Sequence, residues 1–270
     1  MNASMNGLLQ HVTAPVERVG RGSMKQLDGL GLCGLQFWEA LRQLFRKPFR
    51  FHLLIKQMEF IGNKSLGVTL LTGMFTGMVM TFQLYRTLRL FSSETIVGGV
   101  VAVAMVRELG PVLSSLMVNA RAGSAIAAEI GTMKVTEQVD ALFALGVSPI
   151  QYLFTPRVLA GFLMQPLLTA IADVTAVAGG YMVGVLLLGV DPGIFMAKVW
   201  DYLDVGDILQ GTVKACVFGL ILTHVGCYKG YNTDGGAEGV GRATTDAVVV
   251  SAIAILFSDY LITVFWQTTL

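Results

Sequence analysis

Residues 65–85 read SLGVTLLTGMFTGMVMTFQLY, an unbroken run of 21 uncharged residues between Lys64 and Arg86. About 20 predominantly apolar residues are enough for a helix to cross a bilayer. The composition agrees, because 54% of the 270 residues are hydrophobic, only 14% are charged and the mean hydropathy is positive. The sequence therefore predicts an all-α integral membrane protein rather than a soluble domain, and its near-zero net charge gives no indication of a nucleic-acid partner.

Four further apolar runs follow, which makes five predicted transmembrane helices. They extend approximately over residues 96–119, 158–190, 208–228 and 247–266. The second run reaches crossing length only if Arg107 and Glu108 are accepted near its middle. We therefore assign residues 64–270 to a transmembrane domain.

The distribution of lysine and arginine predicts the orientation, since positively charged loops stay on the cytoplasmic side. Nine of the 19 basic residues precede the first run, whereas the loop after the third run, DPGIFMAKVWDYLDVGD, is acidic. Arg86 and Arg89 in the first outer loop go against the rule. The N-terminus is predicted to be cytoplasmic and the C-terminus to lie on the outer side.

A basic amphipathic helix is predicted in region 36–63, before the first span. Its apolar face comprises Phe37, Trp38, Leu41, Leu44 and Phe45. Its other face carries Glu39, Arg42, Arg46 and Arg50. This pattern favours a helix lying in the membrane interface. An ordinary surface helix is the alternative, but the chain offers too little soluble sequence to build a core beneath it. Residues 1–35 receive no assignment.

The segment between spans two and three starts rich in glycine and alanine, a composition that permits close helix packing. It then contains TEQVDALFAL, residues 136–145, with a polar start, apolar residues at helical spacing, and Gly146 and Pro149 just beyond. This pattern predicts a short amphipathic helix on the cytoplasmic face, suited to docking a soluble partner. A simple reversing loop is the alternative.

Two long blocks carry a family resemblance. Residues 107–160, which begin RELGPVL, and residues 226–251, which contain GGAEGVGRATTD, resemble the MlaE-type permeases. These are the membrane subunits of lipid ABC transporters that work with MCE-domain proteins.

The resemblance implies a homodimer of five-span subunits in a bacterial inner membrane, moving phospholipids between that membrane and a periplasmic MCE-domain hexamer. It also implies a separate ABC ATPase subunit, which would hold ATP and Mg. The predicted cytoplasmic helix would be the coupling helix that contacts this ATPase. Its candidate contact residues are Thr136, Glu137, Gln138, Asp140 and Leu142.

Nothing in the sequence indicates an enzyme. No G-x-x-x-x-G-K-[ST], H-E-x-x-H or G-x-S-x-G motif occurs, and the three histidines are isolated. The glycine cluster at 235–241 lacks the P-loop lysine, so a tight turn before span five is predicted there, because glycine accepts positive φ. The three cysteines are far apart and suggest no zinc site, so we predict no metal and no cofactor in this chain.

Charged residues inside the predicted spans are the candidate binding residues. A charge at the bilayer centre costs about 2.5–3.5 kcal/mol on insertion scales, so Arg107 and Glu108 must face protein, water or a polar ligand. Lys214 in span four supplies a third charge. We predict that these residues line a lipid cavity holding a polar headgroup, and the resemblance implies such a cavity at the dimer interface. The alternative is that charges on neighbouring helices neutralise them and merely fix the packing.

Pro111 lies three residues after Glu108, and a proline inside a helix removes a backbone hydrogen bond and tends to kink it. Such a kink could widen a cavity on one side. The sequence therefore predicts a local distortion of span two near these charges.

Two other functions are considered. An ion-coupled secondary transporter of an amphiphilic substrate could use Asp173 or Asp259, but the chain shows no visible inverted repeat. A membrane enzyme acting on lipids lacks a catalytic constellation. The favoured function is the phospholipid permease subunit.

Overall fold

The computed structural model describes residues 31–32, 34–40, 42–43 and 50–269. Within these residues the chain is helical and contains no strand, and five helices are long and apolar enough to cross a membrane. The helices are α1 (Phe51–Arg89), α2 (Glu94–Val135), α3 (Gln138–Ala144), α4 (Ile150–Leu187), α5 (Pro192–Tyr202), α6 (Val205–Tyr231) and α7 (Gly236–Thr269). The all-helical class and the five spans, which are α1, α2, α4, α6 and α7, are confirmed.

Several helix ends differ from the predicted ones. Helix α1 already begins at Phe51, so the predicted boundary between residues 63 and 64 falls inside a continuous helix. Residues 120–135, placed after the predicted end of the second span, continue α2, and α7 begins at Gly236 rather than near residue 247. Hydropathy marks only the part of a helix that lies in hydrocarbon, whereas backbone hydrogen bonding continues the helix into polar surroundings. That is why each of these helices is longer than its apolar run.

Small residues let the spans approach closely. A Cβ added to Gly77 of α1 would lie 1.9 Å from the backbone oxygen of Ala176 on α4. Gly219 of α6 meets Gly161 of α4 in the same way, with an added Cβ only 2.3 Å from the Gly161 oxygen. Association in a bilayer depends on such close packing, because apolar side chains gain little by leaving lipid. Helix α4 is thereby packed between α1 and α6.

Helix α2 contains a π-helical turn at Met105–Leu109, immediately before Gly110 and Pro111. Pro111 has no backbone N–H, and its ring would clash with the carbonyl of Arg107 in a regular α-helix. A widened π turn accommodates this conflict, and π turns are frequent at functional sites. The distortion predicted near Pro111 is therefore present as a π turn, and it carries both Arg107 and Glu108.

The loops between spans contain the few residues with positive φ. Gly235 and Gly236 have φ of 88° and 70°, which confirms the predicted tight turn before span five, although Gly239 and Gly241 are already helical. Glu137 has φ of 60° and separates α2 from α3. Helices α3 and α5 lie at opposite ends of the bundle, since each joins spans on a different side.

The predicted interfacial helix is only partly described. Residues 34–40 are helical; Phe37 packs edge-on against His224 of α6 at 5.1 Å between ring centroids, and Trp38 is exposed. The other predicted apolar residues, Leu41, Leu44 and Phe45, lie outside the described residues. The structure thus places Phe37 against the bundle, and the amphipathic interfacial helix stays a prediction.

Candidate functional site

A buried lysine joins two carboxylates in the interior of the bundle. Lys214 of α6 has a fully buried side chain, and its Nζ lies 2.5 Å from Glu108 Oε2 of α2 and 2.8 Å from Asp259 Oδ1 of α7. The contact with Asp259 is an ion pair without hydrogen-bond alignment, since Oδ1 has no hydrogen-bond partner. The Thr263 hydroxyl, one turn after Asp259, donates to Glu108 at 3.3 Å. Three spans are therefore joined through one ammonium group.

Arg107 points elsewhere, although it is adjacent to Glu108 in sequence. Its Nε donates to Asp207 Oδ1 at 2.5 Å, and the Asp207 side chain is buried. Asp207 lies in the first turn of α6 and also accepts from the backbone N–H of Asp204, as part of a capping box. This ion pair therefore lies at the end of α6 that is next to α5. Arg107 and Glu108 belong to the same π turn.

Exposure separates the three predicted cavity residues into two groups. The side chains of Arg107 and Glu108 are 47% and 39% exposed, whereas that of Lys214 is 0% exposed. Arg107 and Glu108 can therefore contact a ligand outside the subunit while remaining anchored from behind by Asp207 and Lys214. Lys214 itself cannot line an open cavity in this arrangement, because both carboxylates and the surrounding helices enclose it.

The structure thus brings Glu108 and Lys214 together and turns the Arg107 side chain toward Asp207 instead. Sequence reasoning missed Asp207 as the partner of Arg107, because it counted this residue with the acidic outer loop. One signal was available: Asp207 and Lys214 are seven residues apart and share a helix face. Two cation–anion contacts between α2 and α6 could have been predicted from that spacing.

A second polar group of side chains lies between α2 and α4. The hydroxyls of Ser114 and Thr169 are 2.7 Å apart, and the Gln165 amide donates to Ser114 at 3.3 Å. All three side chains are buried. One turn beyond Thr169, Asp173 of α4 faces Gly110 of α2; a Cβ added to Gly110 would lie 1.7 Å from Asp173 Oδ1. These residues line no open cavity for a lipid.

At the α3 end, the predicted coupling residues occupy different environments. Thr136 follows the last residue of α2, Glu137 precedes α3 with positive φ, and Gln138 is its first residue. Asp140 lies 3.1 Å from Lys134 of α2, and Leu142 packs against the core.

Two large, exposed apolar residues in and next to α3 were not among the predicted contact residues. Phe143 and Leu145 are 57% and 76% exposed. In the described part of the chain, no three His, Cys, Asp or Glu side chains are grouped so as to hold a metal ion.

Comparison with known proteins gives consistent matches over nearly the whole chain. Residues 54–265 match the family described as Permease MlaE. A probable ABC transporter permease protein of Rickettsia typhi is 45% identical over 245 residues, which cover 91% of this chain and 95% of the relative.

Two further relatives also match. The intermembrane phospholipid transport system permease protein MlaE of Haemophilus influenzae is 38% identical over 92% of this chain and 95% of its own length. The chloroplastic protein TRIGALACTOSYLDIACYLGLYCEROL 1 of Arabidopsis thaliana is 42% identical over 84% of this chain and 65% of its own length.

Proposed function

The chain belongs to the MlaE permease family, and we propose from that premise that it moves phospholipids between a bacterial inner membrane and a periplasmic MCE-domain partner. The name of the Haemophilus relative supports a phospholipid substrate. As an ABC permease the chain is a membrane subunit, and its relatives' names do not favour the ion-coupled secondary transporter.

The observation that carries the proposal is the pair of half-exposed charges on the π turn of α2. Both residues lie within the apolar run of the second span, where a charged group does not face hydrocarbon, so the surface around Arg107 and Glu108 must be covered by a polar ligand, water or protein. A phospholipid headgroup offers a phosphate for the guanidinium, which binds phosphate bidentately. Where the headgroup carries an amine, the Glu108 carboxylate offers the opposite charge. The two residues are therefore assigned to headgroup contact.

Lys214 has a different role in this proposal. Its buried ammonium holds Glu108 from behind and prevents the carboxylate from turning into the helix interface. Asp207 does the same for Arg107. Side chains fixed in this way lose little conformational freedom on binding, so more of the interaction free energy remains for the lipid. Lys214 is thus a positioning residue, and only Arg107 and Glu108 touch the headgroup.

A homodimer would complete the cavity. In one subunit alone the exposed halves of Arg107 and Glu108 would face the bilayer, which is unfavourable for both charges. A second copy placed over this surface would enclose a polar space, in agreement with the dimer-interface cavity that the family resemblance implies.

A separate ABC ATPase, holding ATP and Mg, is proposed to dock on α3 and the residues next to it. The chain has no P-loop of its own, and α3 is a short helix protruding between two spans. Because Asp140 is already paired with Lys134, we place the main apolar contact on Phe143 and Leu145, with the predicted residues from Thr136 to Leu142 around them.

We further propose that the α3 end is cytoplasmic, together with the N-terminus, and that the C-terminus and α5 are periplasmic. Basic residues such as Lys134 and Lys229 lie at the α3 end, and acidic residues such as Asp191 and Asp204 lie near α5. This distribution follows the positive-inside rule.

The test compares lipid binding in two matched double variants of the purified complex. Arg107→Gln with Glu108→Gln removes one cation and one anion from the proposed headgroup site. Lys198→Gln with Asp201→Asn removes one cation and one anion from an exposed ion pair on α5, 3.0 Å apart.

Native mass spectrometry should show less bound phospholipid in the first variant only, with both variants assembled. Equal lipid occupancy in the two assembled variants would overturn the headgroup assignment. The same spectra report the subunit count, and therefore the homodimer and the ATPase and MCE partners.

A further inference from the structure

Asp173 is a carboxyl group in the middle of α4 without any partner. Its Oδ1 is buried and accepts no hydrogen bond, and no lysine or arginine nitrogen lies within ion-pair distance of it among the described residues. Three other acidic residues of the membrane-spanning helices differ in this respect, since Glu108, Asp207 and Asp259 each contact a cation.

The elements around Asp173 offer it no compensating charge. Helix α1, which packs along α4, has no charged residue between Lys64 and Arg86. On α2, Arg107 is bound to Asp207, and Glu108 is an anion itself. On α6, the Lys214 ammonium is shared by two carboxylates.

The contact that Asp173 does make is with glycine backbone. Its Oδ1 lies against Gly110, so close that any side chain at this position would collide with it. A carboxylate is an acceptor only, and it would find no N–H or O–H to accept from here. A carboxylic acid has one O–H donor, which backbone carbonyls of a helix can accept, as the Ile171 carbonyl accepts from the Thr175 hydroxyl at 3.0 Å. An isolated ionised carboxylate at this place would have a very large desolvation cost.

We propose that Asp173 is an intramembrane proton-binding site, occupied by a proton in the resting permease, that keeps α4 packed against the π turn of α2. The inference goes beyond the proposed transport function and does not depend on which lipid is carried. Gly110 directly follows the π turn that bears Arg107 and Glu108. The proton on Asp173 therefore stabilises the packing on which the geometry of those two side chains depends.

Infrared spectroscopy of the purified complex tests the protonation state directly. The C=O stretch of a carboxylic acid is resolved from that of a carboxylate and shifts on exchange into D₂O. We expect such a band at neutral pH in the wild-type protein and its loss in Asp173→Asn. The matched control is Asp201→Asn, which removes an exposed carboxylate on α5 and should leave the band unchanged. A spectrum without any carboxylic acid band that depends on Asp173 would overturn the proposal.

A second measurement tests the stabilising role. Asp173→Asn keeps the size of the side chain and stays neutral at every pH. The melting temperature of the wild-type complex should fall as pH rises above the ordinary range of an aspartate carboxyl, because the unfolded chain then loses a proton that the folded protein keeps. The fall should end where the folded protein also loses this proton, and Asp173→Asn should lack this part of the pH dependence. An equal fall in both proteins over this range would exclude the proton-dependent packing. Lipid occupancy measured on the same samples keeps this result separate from the headgroup assignment, because Asp173→Asn should bind lipid as the wild type does.

Discussion

Lys214→Met should destabilise the subunit far more than Glu108→Gln or Asp259→Asn. The reason is an asymmetry in the buried cluster, in which one ammonium serves two carboxylates. Neutralising either carboxylate leaves a one-to-one ion pair. Removing the ammonium leaves the two carboxylates without a cation. Because both contacted the same nitrogen atom, they are close enough to repel each other.

The expected magnitudes follow from the same geometry. Breaking a buried pair by removing one partner costs about 3–5 kcal/mol, and Lys214→Met belongs in that range because Lys214 is fully buried. Losing one hydrogen bond to a charged group costs about 1.5–3 kcal/mol. Glu108→Gln should fall at or below the lower limit, since Glu108 is 39% exposed and a glutamine oxygen still accepts from Lys214. A triple variant that neutralises all three residues should regain much of the loss, because a buried network replaced as a whole is often tolerated.

The assay is thermal unfolding of the detergent-solubilised complex, followed by size-exclusion chromatography to measure the assembled fraction. The expected order of melting temperatures is wild type, then Glu108→Gln and Asp259→Asn, then Lys214→Met, with the triple variant above Lys214→Met. If Lys214→Met melts no lower than the two single carboxylate variants, the shared-ammonium reasoning is wrong. If the triple variant is as unstable as Lys214→Met, the loss comes from packing rather than from unpaired charge.

Two further predictions concern helix packing and the ATPase. Gly219→Val should prevent the close approach of α4 and α6, because its Cβ would lie 2.3 Å from the Gly161 oxygen. The expected result is lower expression and a lower melting temperature. The control is Gly241→Val, which should be tolerated because an added Cβ there meets nothing within 4 Å. Phe143→Asp with Leu145→Asp should abolish co-purification of the ATPase while leaving the melting temperature of the isolated permease unchanged, since both side chains are exposed. Retained co-purification would remove these two residues from the interface.

The number of spans could be predicted from sequence because each crossing requires an apolar run that composition makes visible. The helix ends could not, because hydropathy reports the surroundings of a residue rather than its hydrogen bonding. Residues 120–135 show this well. Their glycine and alanine content indicated close helix packing but not where the second span ends, and in the structure they form a helix whose small residues pack against α6, where an added Cβ on Gly226 would lie 2.9 Å from the Gly123 oxygen.

The charged residues of the site were identified from sequence because charges inside apolar runs are conspicuous and costly. Their pairing was not predicted. Neutralisation by charges on neighbouring helices was the alternative to a cavity, but nothing in a one-dimensional pattern shows that Lys214 is enclosed or that Glu108 and Asp259 share it. Asp207 was missed because an acidic residue at the end of a span is more simply assigned to a solvated loop.

The π turn at Met105–Leu109 explains why two adjacent charges can serve two different helix faces. Arg107 reaches the first turn of α6, Glu108 reaches Lys214 two turns farther along the same helix, and Gly110 at the end of the turn packs on Asp173 of α4. Two ion pairs with α6 and one packing contact with α4 are therefore attached to residues 107–110 of α2. A displacement of α2 at this point would change all three contacts together. The same helix continues through a second π turn at Asn119–Gly123 to Val135, after which α3 follows, so the proposed lipid contact and the proposed ATPase contact are carried by one continuous helix.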